Sequence, residues 1–80
     1  MTRDDIFKQV QDIFRDIFDQ EDLVLKNKTD STDIEEWDSL NHINLVNSIE
    51  QEFDIKFGLN ELLDLENVGV MVELIFDKLH

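Results

Sequence analysis

The chain has no cysteine, no proline, only two glycines, and only seven Lys and Arg among eighty residues. Without cysteine there can be no disulfide staple, no thiolate metal site and no cysteine nucleophile, so any thiol chemistry must be imported with a cofactor. Gly58 and Gly69 stand alone, which leaves no glycine-rich run to cradle a phosphate. The bases are scattered and form no stripe on which nucleic acid could lie. No apolar stretch approaches the length of a membrane span. The opening MTRDDIFKQV lacks a charged leader followed by an apolar run. The expectation is a cytoplasmic protein that does not insert into membranes.

What the chain has in excess is acid. Twenty Asp and Glu give a net charge of −13, made up of −7 over residues 1–40 and −6 over residues 41–80. A field of that sign repels nucleic acid and anionic membranes and favours partners with basic patches. Eighty residues make one small domain, taken here as 1–80. A core of this size supplies about 3–5 kcal/mol of net stability.

Apolar spacing is helical almost throughout, and no proline interrupts it. A first helix is expected over Arg3–Phe18, where Ile6, Val10, Ile13 and Ile17 step by four, three and four. Thr2 suits its N-cap, Asp5 the acid of a capping box, and Met1 with Ile6 a hydrophobic staple. Residues 19–37, DQEDLVLKNKTDSTDIEEW, lose the pattern and read as a long loop, pinned by Leu23, Val24, Leu25 and Ile34. A loop this long in a small domain is often functional.

A second helix is expected over Ser39–Phe53, with Leu40, Ile43, Val46, Ile49 and Phe53 along one stripe and Leu45 widening it. Asp38 and Ser39 both suit its cap. A short helix is expected over Asn60–Leu65 and a last one over Val68–Leu79, capped by Asn67, with Val68, Met71, Val72, Ile75, Phe76 and Leu79 inward. The fold class is therefore all-α: a small antiparallel four-helix bundle, three main helices plus one short, with a long first loop.

Three kinds of site can be tested on these residues. Ser39, His42 and Asp38 have the residue types of a hydrolase, but they crowd one turn without a glycine elbow or a walled pocket. His42 reads as a solvated helix residue and His80 as a frayed terminus. The stretch DSTDIEEWD resembles an acidic calcium loop, yet counting from Asp30 puts Ile34 at the fifth position and Glu35 at the sixth, where glycine is needed. No metal site is expected. What remains is a serine at a helix start. Unpaired N–H groups there favour an anion, and a side chain at the cap or first position points outward, within reach of an enzyme.

The residues around that serine resemble a family. WDSLNHINLVNSIEQEFDIKF is similar to the prosthetic-group site and second helix of acyl carrier proteins: Asp38-Ser39-Leu40, then an amphipathic helix closing in IEQEFDI, with NVG before the last helix. The resemblance implies a non-catalytic carrier whose Ser39 receives 4′-phosphopantetheine from coenzyme A through a phosphopantetheinyl transferase. Acyl intermediates would ride as thioesters on the arm's thiol, which would supply the sulfur the chain lacks. It also implies a recognition patch including Asp38 and Leu40, with Glu50 and Glu52 meeting the basic docking surfaces of acyl-transferring, acyl-activating or condensing enzymes. Ile43, Val46, Ile49, Phe53 and Leu62 become candidates for lining an acyl cavity.

Two departures bear on the cargo and partners. Fatty-acid-synthesis carriers usually have glycine two residues before the Asp-Ser-Leu tripeptide and acids early in the second helix. Here Glu36 and Trp37 precede the tripeptide, and Asn41, His42, Asn44 and Asn47 follow it. Trp37 is either a partner contact or a cover for the helix end. The wording fits a stand-alone, monomeric carrier for specialised lipid, polyketide or surface-polysaccharide modification, with six phenylalanines favouring a short or polar cargo. An aminoacyl, D-alanyl or peptidyl carrier is the alternative within the family. Outside it stands an acidic interaction module or nucleic-acid mimic, for which Ser39 would be irrelevant.

Overall fold

The computed structural model describes all residues, 1–80, as four helices and no strand: α1 Arg3–Ile17, α2 Ser39–Phe53, α3 Leu59–Leu63 and α4 Val68–Leu79. α1 begins as its sequence predicts. The Thr2 hydroxyl accepts the Asp5 N–H at 3.1 Å, and the Asp5 carboxylate accepts the Thr2 N–H at 3.2 Å. Met1 stays 48% exposed and staples nothing firmly. Phe18 caps the helix rather than extending it, and Asp19 follows at φ 53° in the left-handed region.

α1 packs on both α2 and α4. Its stripe of Ile6, Val10 and Phe14 meets Leu45, Val46, Ile49 and Phe53 of α2 and Val68, Met71, Val72 and Ile75 of α4 in one core. Phe76 and Leu79 are half-buried at its margin. His80 is not frayed: its ring lies 4.4 Å from Phe76, with Nε2 3.0 Å from the Met1 carbonyl.

The long loop is made of turns and tied down at several points. Leu25, Ile34 and Trp37 are buried and Leu23 is half-buried, but Val24 points outward, 69% exposed, contrary to expectation. Gln11 on α1 accepts the Leu25 N–H at 2.9 Å, and Arg15 donates to the Leu23 carbonyl at 2.7 Å. Farther on, the Thr29 carbonyl accepts the Val68 N–H at 2.9 Å and the Asn27 carbonyl the Gly69 N–H at 2.8 Å. Asn67 caps the next amide, Val70, at 2.9 Å. The first amides of α4, which an isolated helix leaves unpaired, are thus all satisfied.

α3 is shorter than expected and begins earlier, because the Glu61 carboxylate accepts the Gly58 N–H at 2.7 Å and starts the helix at Leu59. Leu65 lies beyond it, buried in the connection to α4. A 2.8 Å ion pair from Glu61 to Lys78 fastens α3 to α4.

Candidate functional site

At the head of α2 the choice between two caps is resolved. Asp38 is the N-cap, in extended conformation, and its carboxylate accepts the Asn41 N–H at 2.9 Å. Ser39 is the first helical residue, exposed, with its hydroxyl engaged by no other group of the chain. The Ser39 and Leu40 amides also lack an acceptor, since the bonds into this helix start at Asn41 and His42. Every corresponding amide of α4 has one. Two free N–H groups beside a free hydroxyl make an electropositive, reachable point on an otherwise acidic chain.

Ser39 opens onto a hollow of about 520 Å³ bordered by Ser31, Trp37, His42, Ile43, Leu65 and Glu66. A smaller groove of about 230 Å³ lies between α2 and α3, lined by His42, Ile43, Val46, Glu50, Phe57 and Leu62 among others. His42 and Ile43 belong to both. The largest hollow, about 680 Å³, lies between α1, α4 and Asn27–Lys28 and shares no residue with these two.

The cavity candidates fall into two groups. Ile43, Val46 and Leu62 line the groove, whereas Ile49 (0% exposed) and Phe53 (7%) are closed core and line neither hollow. The expected apolar stripe also bends away from the core at its start: Leu40 and Ile43 are 68% and 59% exposed.

The surface candidates separate likewise. Asp38, Leu40 and Glu52 are exposed. Glu50 is half-buried and turned to internal use, accepting the Phe57 N–H at 2.8 Å. Trp37 is core, 6% exposed, with its ring edge-on to Phe14 at 5.1 Å and 88°. A ring so enclosed covers the helix end and offers no face to a partner.

Sequence reasoning missed His42. It is half-buried, its Nδ1 accepts the Trp37 indole N–H at 3.0 Å, and the two ring planes lie within 19° of each other. Burial lowers its pKa. No carboxylate orients it, because Asp38 is bonded to a backbone amide, and it makes no bond to Ser39. A Ser-His-Asp relay needs both contacts.

The phosphopantetheine attachment site family matches residues 8–75, most of the chain. The chain belongs to the acyl carrier protein family. A solved relative, the solution NMR structure of a holo acyl carrier protein from Geobacter metallireducens, is 44% identical, with 91% of this chain and 84% of that chain covered at a TM-score of 0.86. No curated protein matches. The prosthetic group of this carrier is 4′-phosphopantetheine. No helix of the carrier is long and apolar enough to cross a membrane.

Proposed function

We propose that Ser39 is the attachment residue and that residues 1–80 act as one monomeric, non-catalytic unit in the cytoplasm, presenting thioester-bound acyl groups to enzymes. The observation that carries this reading is the pair of free amides, Ser39 and Leu40, beside a hydroxyl that the fold does not use. A phosphodiester formed on Ser39 would place its negative charge at the N-terminus of α2, a position that stabilises an anion by about 0.3–1 kcal/mol. The group supplies the thiol chemistry when bound. The chain's own contribution is to hold the hydroxyl outward, with Asp38 keeping the helix end in register and Leu40 exposed beside it.

We propose further that the enzymes served are not those that read an acidic second helix. From Ser39 through Ile49 there is no Asp, Glu, Lys or Arg. Docking there relies on amide and apolar groups such as Asn44, Asn47, Leu40 and Ile43, with Glu52 the exposed acid farther along. Such a surface depends less on salt than one built from charge pairs. It fits a specialised acyl carrier for lipid, polyketide or surface-polysaccharide modification, served by its transferase and by acyl-handling enzymes.

The test is intact mass after incubation with coenzyme A and a broad-specificity phosphopantetheinyl transferase. One phosphopantetheine is expected on the wild type and none on Ser39→Ala. An unmodified wild type that stays unloaded with several transferases would favour the acidic interaction module instead.

A further inference from the structure

His42 stands where the hollow beside Ser39 meets the groove between α2 and α3. An indole N–H can only donate, so a neutral imidazole that accepts it at Nδ1 carries its own proton on Nε2. The bond from Trp37, itself fixed against Phe14, holds the ring nearly coplanar with the indole, in orientation as well as in tautomer. Nε2–H has no partner within the chain, and no unpaired polar side-chain atom is buried. This donor is therefore accessible at the rim.

The groove it guards is small. At about 230 Å³ it is less than half the size of the hollow beside Ser39, about 520 Å³. Val46, Phe57 and Leu62 give it apolar walls, and the packed Ile49 and Phe53 do not extend it. Its polar members are His42, Asn47 and Glu50, the last already bonded to Phe57.

We infer that His42 is a specificity-determining residue: its Nε2–H selects short acyl chains bearing a neutral hydrogen-bond acceptor, a hydroxyl or oxo group, next to the thioester. The inference rests on the arm being carried by Ser39. A long saturated chain would have to part the closed core. A plain short chain drawn past the imidazole strips water from the donor without replacing the bond, the kind of mismatch by which polar sites reject apolar analogues. A carboxylate cargo is opposed by Asp38 at the N-cap of α2, by Glu50 within it and by Glu66 from the α3–α4 connection, the charged groups around His42. An ammonium would be drawn to those carboxylates and would make no bond to Nε2–H, which only donates.

The full chain, loaded by a broad-specificity transferase from butanoyl-, 3-hydroxybutanoyl- or octanoyl-coenzyme A, tests this. The readouts are thioester half-life, relative to the same acyl-coenzyme A in solution, and amide shifts at Val46, Phe57 and Leu62. The 3-hydroxybutanoyl form should be protected about fivefold more than the butanoyl form, the factor that one net hydrogen bond supplies. The octanoyl form should gain nothing. His42→Phe should erase the preference, and His42→Gln, which keeps an N–H donor, should restore part of it. Trp37→Phe acts only through positioning, so it should weaken the preference while the His42 ring ¹⁵N shifts report mixed tautomers. Equal protection of the two short chains, stronger protection of octanoyl, or a preference surviving in His42→Phe would overturn the inference and leave the carrier role standing. Failure of all three to load on Ser39 would overturn both.

Discussion

Trp37 donates its indole N–H to Nδ1 of His42 at 3.0 Å, so the native fold uses this imidazole as a hydrogen-bond acceptor. Burial holds its pKa below the ordinary value of about 6.5. The unfolded chain therefore takes up this proton at higher pH than the folded one. His42's contribution to stability is complete above about pH 6.5 and is lost as pH falls from there through the lowered folded pKa. Thermal melts from pH 7.5 down to 5.5 should show wild type losing its advantage over His42→Gln. Parallel curves would contradict this. The carboxyls of Asp5 (bonded by the Thr2 N–H), Asp30 (by the Thr32 hydroxyl) and Glu61 (by the Gly58 N–H) are also held low. Their stabilisation is lost only as pH falls below the ordinary carboxylate range, outside this window.

Asp38 caps the helix that presents Ser39. Replacing it with alanine removes the acceptor for Asn41 and should cost about 1 kcal/mol. For a domain of this size that lowers the melting temperature by roughly 4–8 °C. Asp38→Asn, which retains an acceptor, should recover most of the loss. An alanine variant that melts with wild type would show that the cap contributes nothing.

Gly69 lies where the long loop crosses the start of α4. A Cβ placed there would meet the Asn27 carbonyl oxygen at 2.9 Å and the Asn27 Cβ at 3.3 Å. Alanine is the better helix former by about 1 kcal/mol, so local propensity predicts that Gly69→Ala stabilises. The backbone contact predicts the reverse. We expect a lower melting temperature and faster hydrogen exchange at the Val68 and Ala-substituted 69 amides as the loop is pushed off; a gain in stability would show that the loop yields freely.

Asp19 and Asp54 follow the ends of α1 and α2 at φ 53° and 54°, in the left-handed region where glycine is the usual occupant. The side chain there costs about 1–2 kcal/mol, against about 0.5–1 kcal/mol of chain entropy that glycine forfeits. Asp19→Gly and Asp54→Gly should each stabilise by about 0.5–1 kcal/mol, read from urea midpoints, and each removes one negative charge from a chain that has an excess. Unchanged midpoints would mean that the aspartates offset their strain locally.

Much of this molecule was legible from spacing. The steps of three and four placed three main helices to within a residue, because a buried helix face leaves a regular apolar trace. What periodicity cannot tell is whether a neighbour covers that face. Leu40 and Ile43 lie in register with Val46 and Ile49, yet no element packs over the first turns of α2, and both stay exposed. Val24 failed too: its neighbours Leu23 and Leu25 turn inward while it faces outward between them. The family was plain in the letters around Ser39. The Trp37–His42 bond was not, since it joins a loop residue to a helix residue through a tertiary contact with no sequence period. Glu50 reads as a surface acid, and only the turn through Asp54 brings the Phe57 amide to it.

Asp38 takes the cap and leaves the neighbouring hydroxyl idle. Had Ser39 been the cap, esterifying it would have competed with the bond that begins the helix. With Ser39 as the proposed attachment residue, tethering a cargo and keeping a shape would fall to adjacent residues. On the proposed reading, adding the arm would ask no refolding of the helix, so one scaffold would serve the bare and the loaded chain alike.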